Sequence, residues 1–181
     1  MKQPIDPLRY AGEIMTALQS GVLLTTQSGG RLNTMTISWG TLGVEWGVPI
    51  FTAFVREGRY TRQLLDESRE FTVSIPHGPF DRRILGFCGS KSGRDLDKFQ
   101  SLGLTPEPPE RISAPGIRQL PLTLECRVVY RQPQIRSEIS PDLLQKFYPQ
   151  DVESTFCGSN RDLHTAYYGE IVSAYLISDR P

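Results

Sequence analysis

A chain of 181 residues, 38% of them hydrophobic, is long enough to bury a sizeable core in one domain with excursions. Lysine plus arginine and aspartate plus glutamate number 20 each, so the formal net charge is zero and no global field draws in nucleic acid or an anionic membrane. Three widely spaced cysteines, Cys88, Cys126 and Cys157, form no Cys-x-x-Cys pair and have no histidine at ligand spacing, which argues against a zinc site. Their scarcity suits a reducing compartment. With neither a basic n-region followed by an apolar h-region nor an apolar run of transmembrane length, a soluble cytoplasmic protein is expected.

Residues 1–9 carry Pro4 and Pro7 and little periodicity, whereas Ile14, Ala17 and Leu18 predict a short amphipathic helix from about Tyr10 to Ser20, ended by Gly21. Val22 to Thr26 favours a strand, and the turn residues Ser28-Gly29-Gly30 make it the first arm of a hairpin. The second arm is Asn33-Thr34-Met35-Thr36-Ile37-Ser38-Trp39-Gly40, in which hydroxyl and apolar side chains alternate. On a strand, Thr34, Thr36 and Ser38 form a hydroxyl row, with Met35, Ile37 and Trp39 behind it. Such a row can line a polar ligand, but by itself it reads first as an ordinary solvated face.

Gly43 and Gly47 precede Val48 to Val55, a nearly continuous apolar run of buried-strand character, with Arg56 at its end. Glu57-Gly58-Arg59-Tyr60-Thr61 then leads into a helix over Arg62 to Ser68. Phe71, Val73 and Ile75 alternate with Thr72 and Ser74 in a further strand. Helices are predicted from about Phe80 to Phe87 and, after Cys88-Gly89-Ser90-Lys91-Ser92-Gly93-Arg94-Asp95, through Phe99 to Leu102, with Gly103 as the cap. Pro106 to Pro121 reads as a long surface connection. Leu122 to Arg131 is the clearest amphipathic strand, Pro141 to Phe147 suits a helix, and Tyr167 to Ile177 suits a last strand, with His164 just before it. Strands dominate, which predicts a β-barrel or sandwich with α excursions.

Three stretches carry candidate chemistry. At Arg56 to Thr61 a permanently charged guanidinium meets a helix start, whose free N–H groups and positive dipole end attract a phosphate. Gly89-Ser90-Lys91-Ser92-Gly93 is not a P-loop, because Ser90 precedes the lysine where that motif needs glycine. It is instead a flexible loop of hydroxyls, an ammonium and backbone donors. His164 is one of two histidines, and no nucleophile can be paired with it from sequence. Trp39 and Trp46, both near glycines, can pack over a planar ring or in a core.

Taken in order, Asn33 to Gly40, Gly43 to Pro49, Arg56 to Thr61, Cys88 to Asp95 with Lys98-Phe99, and His164 with Gly169-Glu170 closely resemble the flavin reductase-like family of FMN-binding split barrels, in its flavoredoxin-like branch. The agreement runs from about residue 10 to 177. The resemblance implies one flavin reductase-like domain over residues 1–181, mainly β with short helices. It would be a six-stranded split β-barrel that forms a homodimer and holds FMN non-covalently near the dimer interface. It implies an oxidoreductase that takes a hydride from NAD(P)H, or else an electron-transfer flavoprotein reduced by a protein partner, or a flavin-binding barrel without turnover.

Carried over by position, the strand bearing Asn33, Thr34, Met35, Thr36, Ser38 and Trp39 would line the isoalloxazine and ribityl chain. Arg56, Tyr60 and Thr61 would hold the phosphate, and Ser90, Lys91 and Ser92 would close over the flavin. His164 would stand where a hydride donor or electron partner approaches. Residues 150–160, with Glu153, Phe156 and Cys157, have no counterpart in the resemblance and are expected to shape substrate choice.

Overall fold

The computed structural model describes residues 1–178. In chain order, strand β1 (Lys2–Pro4) leads to helix α1 (Ala11–Ser20), then β2 (Val22–Ser28), β3 (Arg31–Ile37), β4 (Gly40–Glu45) and β5 (Val48–Arg56). Helix α2 (Tyr60–Ser68) and β6 (Glu70–Ile75) follow, then α3 (Arg83–Ser90), α4 (Lys98–Leu102) and the short strands β7 (Pro106–Glu107) and β8 (Gly116–Ile117). The chain ends with β9 (Leu122–Pro133), a 3-10 turn at Arg136–Glu138, α5 (Pro141–Phe147) and β10 (His164–Ile177).

Seven strands hydrogen-bond side by side, all antiparallel, in the order β3-β2-β6-β9-β10-β5-β4, and β1 pairs with the far half of β10. The main sheet therefore has eight strands where six were expected. The two additions are β1, in a proline-bearing stretch without periodicity, and β4, whose glycines concealed a hairpin with β5. That hairpin turns on Trp46 and Gly47, both at positive φ (52° and 77°). The β2–β3 hairpin turns on Gly29-Gly30, with φ of 54° and 75°, the left-handed pair that a two-residue turn requires.

The two ends of the strand order, β3 and β4, are consecutive in the chain. Ser38 and Trp39 carry the backbone from one to the other, and the Phe54 N–H donates to the Trp39 carbonyl at 3.5 Å. The curled sheet encloses one core, in which Ile14 and Leu18 of α1 pack with Val22, Leu24, Phe51, Val55, Phe71, Leu124 and Tyr167. A second cluster covers the outer face of β2: Leu23 meets Ile84, Leu85 and Cys88 of α3, Phe99 of α4, and Ile117 and Leu120. β2 is thus buried on both faces, which explains its unbroken apolar run Val22-Leu23-Leu24.

Residues 106–121 depart from the expected surface connection. Ala114, Ile117 and Leu120 are fully buried. Thr72 Oγ1 donates to the Pro115 carbonyl at 2.7 Å and the Ile117 N–H donates to Ser74 Oγ at 3.1 Å, so side chains of β6 satisfy the segment's backbone. Proline content hid this, because the partners lie some 40 residues upstream. Among the described residues no helix is long and apolar enough to cross a membrane.

Candidate functional site

β3 is the last strand in the hydrogen-bonded order, so its outer edge is free to meet other groups. The Thr34 carbonyl points out from that edge, where it accepts from Lys98 Nζ at 2.8 Å. Alternation along an antiparallel edge places the Thr36 backbone groups on the same side. A cleft of about 740 Å³ runs along this edge, between β3, the start of α2 and the end of α3 with residues 91–95 after it. A side cavity of about 250 Å³ adjoins it at Ser38, between Trp39, Phe54, Phe147 and His164.

At one end of the cleft, α2 begins without a side-chain cap, which leaves the first-turn N–H groups of Tyr60 and Thr61 without an intrahelical acceptor. Thr61 is buried, and its hydroxyl accepts from Asn33 Nδ2 at 2.7 Å, joining β3 to the helix start. Gly93 packs so closely on the Asn33 amide and the Tyr60 ring that a Cβ there would overlap the former. Arg94 donates to the Gly58 carbonyl at 3.1 Å and lies over the Tyr60 ring, 5.3 Å from its centroid. Lys98 is almost fully buried, and its other identified acceptor is the Cys88 carbonyl at 2.9 Å. Burial, with Arg59 adding to it, pulls the Lys98 ammonium down to about 8, against the opposing influence of Cys88. The residues lining the two cavities include Arg56, Arg59, Lys91, Arg94 and Lys98 but a single carboxylate, Asp95.

Of the residues expected to hold a cofactor, Asn33, Met35, Thr36, Ser38, Tyr60, Thr61, Ser90, Lys91 and Ser92 all line the larger cleft. Trp39 and His164 line the side cavity, which Met35, Thr36 and Ser38 share. The free edge explains why side chains from both faces of β3 reach the cleft. Two expected residues are engaged chiefly by the protein itself. The Thr34 hydroxyl is fully buried between strands, accepting from Thr25 Oγ1 at 3.0 Å and donating to the Leu24 carbonyl at 3.3 Å. The hydroxyl row is therefore divided: Thr34 joins strands, Thr36 Oγ1 donates to the Leu85 carbonyl of α3 at 2.6 Å, and Ser38 lines both cavities.

Arg56 is the second. Its guanidinium donates to the carbonyls of Asp162 at 2.5 Å, Phe147 at 3.0 Å and Asn160 at 3.3 Å, and lies 5.1 Å from the Tyr148 ring centroid and 6.0 Å from that of Trp39. It pins residues 147–162 to the barrel and faces only the side cavity. The less engaged cation next to the helix start is Arg59, whose one fixed hydrogen bond among the described residues goes to the Cys157 carbonyl at 2.7 Å. The resemblance assigned the phosphate to Arg56 and gave no role to Arg59, Arg94 or Lys98.

Residues 147–162 form a flap across both cavities. Asp162 holds it to the Arg56 turn, with Oδ2 accepting from the Gly58 N–H at 2.9 Å and Oδ1 from Ser154 Oγ at 2.5 Å. Asn160, nearly fully buried, donates to the Phe156 carbonyl at 2.8 Å, and Cys157 and Gly158 reach both cavities. His164 begins β10 opposite Arg56 in the β5 register. Its Nδ1 meets the Tyr148 hydroxyl at 2.9 Å, and that hydroxyl donates to Gln134 Oε1 at 2.8 Å, so Nδ1 is the protonated ring nitrogen. Burial, reinforced by Arg56 and Arg59, pushes the imidazole down to about 3 and keeps it neutral at physiological pH.

Residues 15–181 match the family model described as flavin reductase like domain. The chain belongs to the flavin reductase-like family. Among solved structures, flavoredoxin of Desulfovibrio vulgaris (Miyazaki F) superposes with a TM-score of 0.62 at 24% identity, over 87% of this chain and 69% of the other. An FMN-binding domain of a flavin reductases-like enzyme from Shewanella baltica OS155 superposes with a TM-score of 0.63 at 15% identity, over 97% and 77%. These likenesses show that the barrel is the split-barrel fold of the family. An uncharacterized protein of Archaeoglobus fulgidus is 29% identical over 97 residues, so the chain spans about half the length of that curated relative.

Proposed function

We propose that the cleft binds FMN without a covalent link and that the protein is an oxidoreductase using it to accept a hydride from NAD(P)H. The observation that carries this reading is the convergence of an uncapped helix start, a free strand edge and a cationic loop on one cleft of about 740 Å³. That volume lies in the ordinary range for a cofactor pocket, about 300–1,000 Å³. The excess of cations suits a phosphate, and the paired donors and acceptors of the β3 edge suit the polar rim of a flavin ring.

In this reading the N–H groups of Tyr60 and Thr61, with Arg94 and Ser92, take the phosphate. Asn33 to Ser38 present backbone groups to the ring, and Ser90 and Lys91 close the cleft. FMN, when bound, supplies the hydride and electron chemistry. The protein binds and orients it, and the flap excludes water. Neutral His164 bounds the site where the hydride donor approaches, as a wall and not as an acid.

The flavoredoxin neighbours favour a second reading, an electron carrier reduced by a protein partner. Anaerobic mixing of the FMN-loaded protein with NADH or NADPH separates the two. Bleaching of the flavin within seconds is expected for the reductase, whereas persistent oxidised flavin supports the carrier, and a protein that stays colourless with added FMN refutes both. Assembly as a homodimer belongs to the same proposal. It is supported by an exposed aromatic patch in which Trp46 lies 6.4 Å from Tyr130, and Tyr130 lies 5.2 Å from Tyr168. Light scattering on a size-exclusion column tests it, with the dimer mass expected and a monomer refuting it.

A further inference from the structure

The side cavity at Ser38 has a chemistry of its own. Its walls are the rings of Trp39, Phe54, Phe147 and His164. Trp39 meets Phe147 edge-on, at 5.1 Å and 87°, and lies against His164 at 4.6 Å and 36°. At about 250 Å³ it is smaller than the roughly 300–1,000 Å³ that drug-sized ligands occupy, and it suits a single ring. Among the described residues that line it none is acidic, yet two guanidiniums, Arg56 and Arg59, border it.

Among the described residues neither arginine has a carboxylate at ion-pair distance. The acid that bears on both is Asp162, whose two oxygens accept from Gly58 and Ser154. The Arg56 guanidinium is engaged by three backbone carbonyls, whereas Arg59 has one fixed hydrogen bond and stands where the side cavity opens into the cleft. Partly buried cations without a counter-ion are costly, and a ligand carboxylate would offset that cost through the planar fork of a guanidinium. The same two cations help to keep His164 uncharged, so no further positive charge is needed from it.

We infer that the side cavity is a substrate site for a planar aromatic or heteroaromatic monoanion, its ring packed on the wall that Trp39 and Phe147 form together and its carboxylate held by Arg59. Its role as a substrate site rests on the FMN reading, whereas its preference for an aromatic anion does not. A neutral nicotinamide ring would leave Arg59 unpaired, so the inference separates an aromatic acid from the hydride donor as the better occupant.

The test uses the full chain loaded with FMN, titrated with benzoate and nicotinate, with their neutral amides, and with cyclohexanecarboxylate. Binding is read from the flavin difference spectrum. Independently, in FMN-free Trp46→Phe protein, it is read from quenching of the one remaining tryptophan, Trp39. The acids are expected to bind about tenfold or more tightly than their amides, the difference a charge-assisted hydrogen bond makes. Benzoate is expected to outbind cyclohexanecarboxylate. Arg59→Gln should erase the preference for acid over amide, and Phe147→Ala should weaken acid and amide by the same factor. Amides binding as tightly as acids, cyclohexanecarboxylate matching benzoate, or no acid binding by either readout would overturn the inference. The comparison of ligands on the unaltered protein stands even if a variant fails to fold. A preparation that takes up no FMN but still binds acids at Trp39 would refute the flavin reading alone.

Discussion

Replacing Arg56 with alanine should unfasten the flap before it touches the cofactor. The guanidinium makes two short charge-assisted hydrogen bonds, to the carbonyls of Asp162 at 2.5 Å and Phe147 at 3.0 Å, and a longer one to Asn160 at 3.3 Å. Hydrogen bonds from a charged group contribute roughly 1.5–3 kcal/mol each, and the alanine variant leaves buried carbonyls without donors and an empty volume beside the Tyr148 ring. Relief of the guanidinium's own desolvation offsets part of this. A net loss of about 3–4 kcal/mol follows, which for a chain of this length lowers the melting temperature by roughly 6–16 °C. Thermal melts and urea titration measure it. Hydrogen exchange should speed up at Glu57, Gly58 and Asp162, whose N–H groups donate to Leu163 beside the flap and to Asp162 and Asn160 within it. Arg56→Lys, which keeps the charge but loses the fork, should fall between. If Arg56→Ala melts like the parent and loses only FMN affinity, the arginine serves the ligand and this reasoning fails.

Gly93→Ala forces the Asn33 amide off Thr61, so FMN affinity should fall by about tenfold, measured by fluorescence titration. Unchanged affinity would separate that contact from the site. Gly169→Ala places a methyl 2.6 Å from Phe71 Cζ and 2.8 Å from Cys126 Cβ inside the core, and should cost about 1–3 kcal/mol in chemical denaturation. His164 has a folded pKa depressed to about 3 from an ordinary 6.5, so its contribution to stability is complete above pH 6.5 and lost as pH falls toward 3. His164→Gln should therefore show a flatter decline in unfolding free energy between pH 6.5 and 4 than the parent protein. Parallel slopes would mean that the imidazole is protonated in place.

The strands that the sequence revealed are those whose environment repeats along the chain. Six were legible: alternation or apolar run-length marked β2, β3, β5, β6, β9 and β10, and the glycine pair at 29–30 marked a turn. β4 was hidden because an edge hairpin with glycines and exposed Val44 and Trp46 has no buried face to leave a period. The 106–121 segment was misread because the hydroxyls of Thr72 and Ser74 that anchor it belong to another strand. Most of the candidate site was recognised as a set of motifs, but partners are not written in a motif. Arg56 and Arg59 lie three residues apart in the same turn, and only the carbonyls of residues 147–162 decide which of them is taken.

β10 pairs with β9 along nearly its whole length, with β5 over its first half and with β1 over its last residues. The barrel's closing contacts therefore span almost the entire sequence, a high contact order that favours slow folding, on the millisecond to second scale. His164, the first residue of β10, reaches Trp39 and Tyr148 only when this strand docks. The wall of the side cavity is thus among the last parts to form. A chain still being synthesised can assemble the β2–β3 hairpin and α2 early, but it lacks a finished pocket until Phe147 of α5 and His164 of β10 are in place.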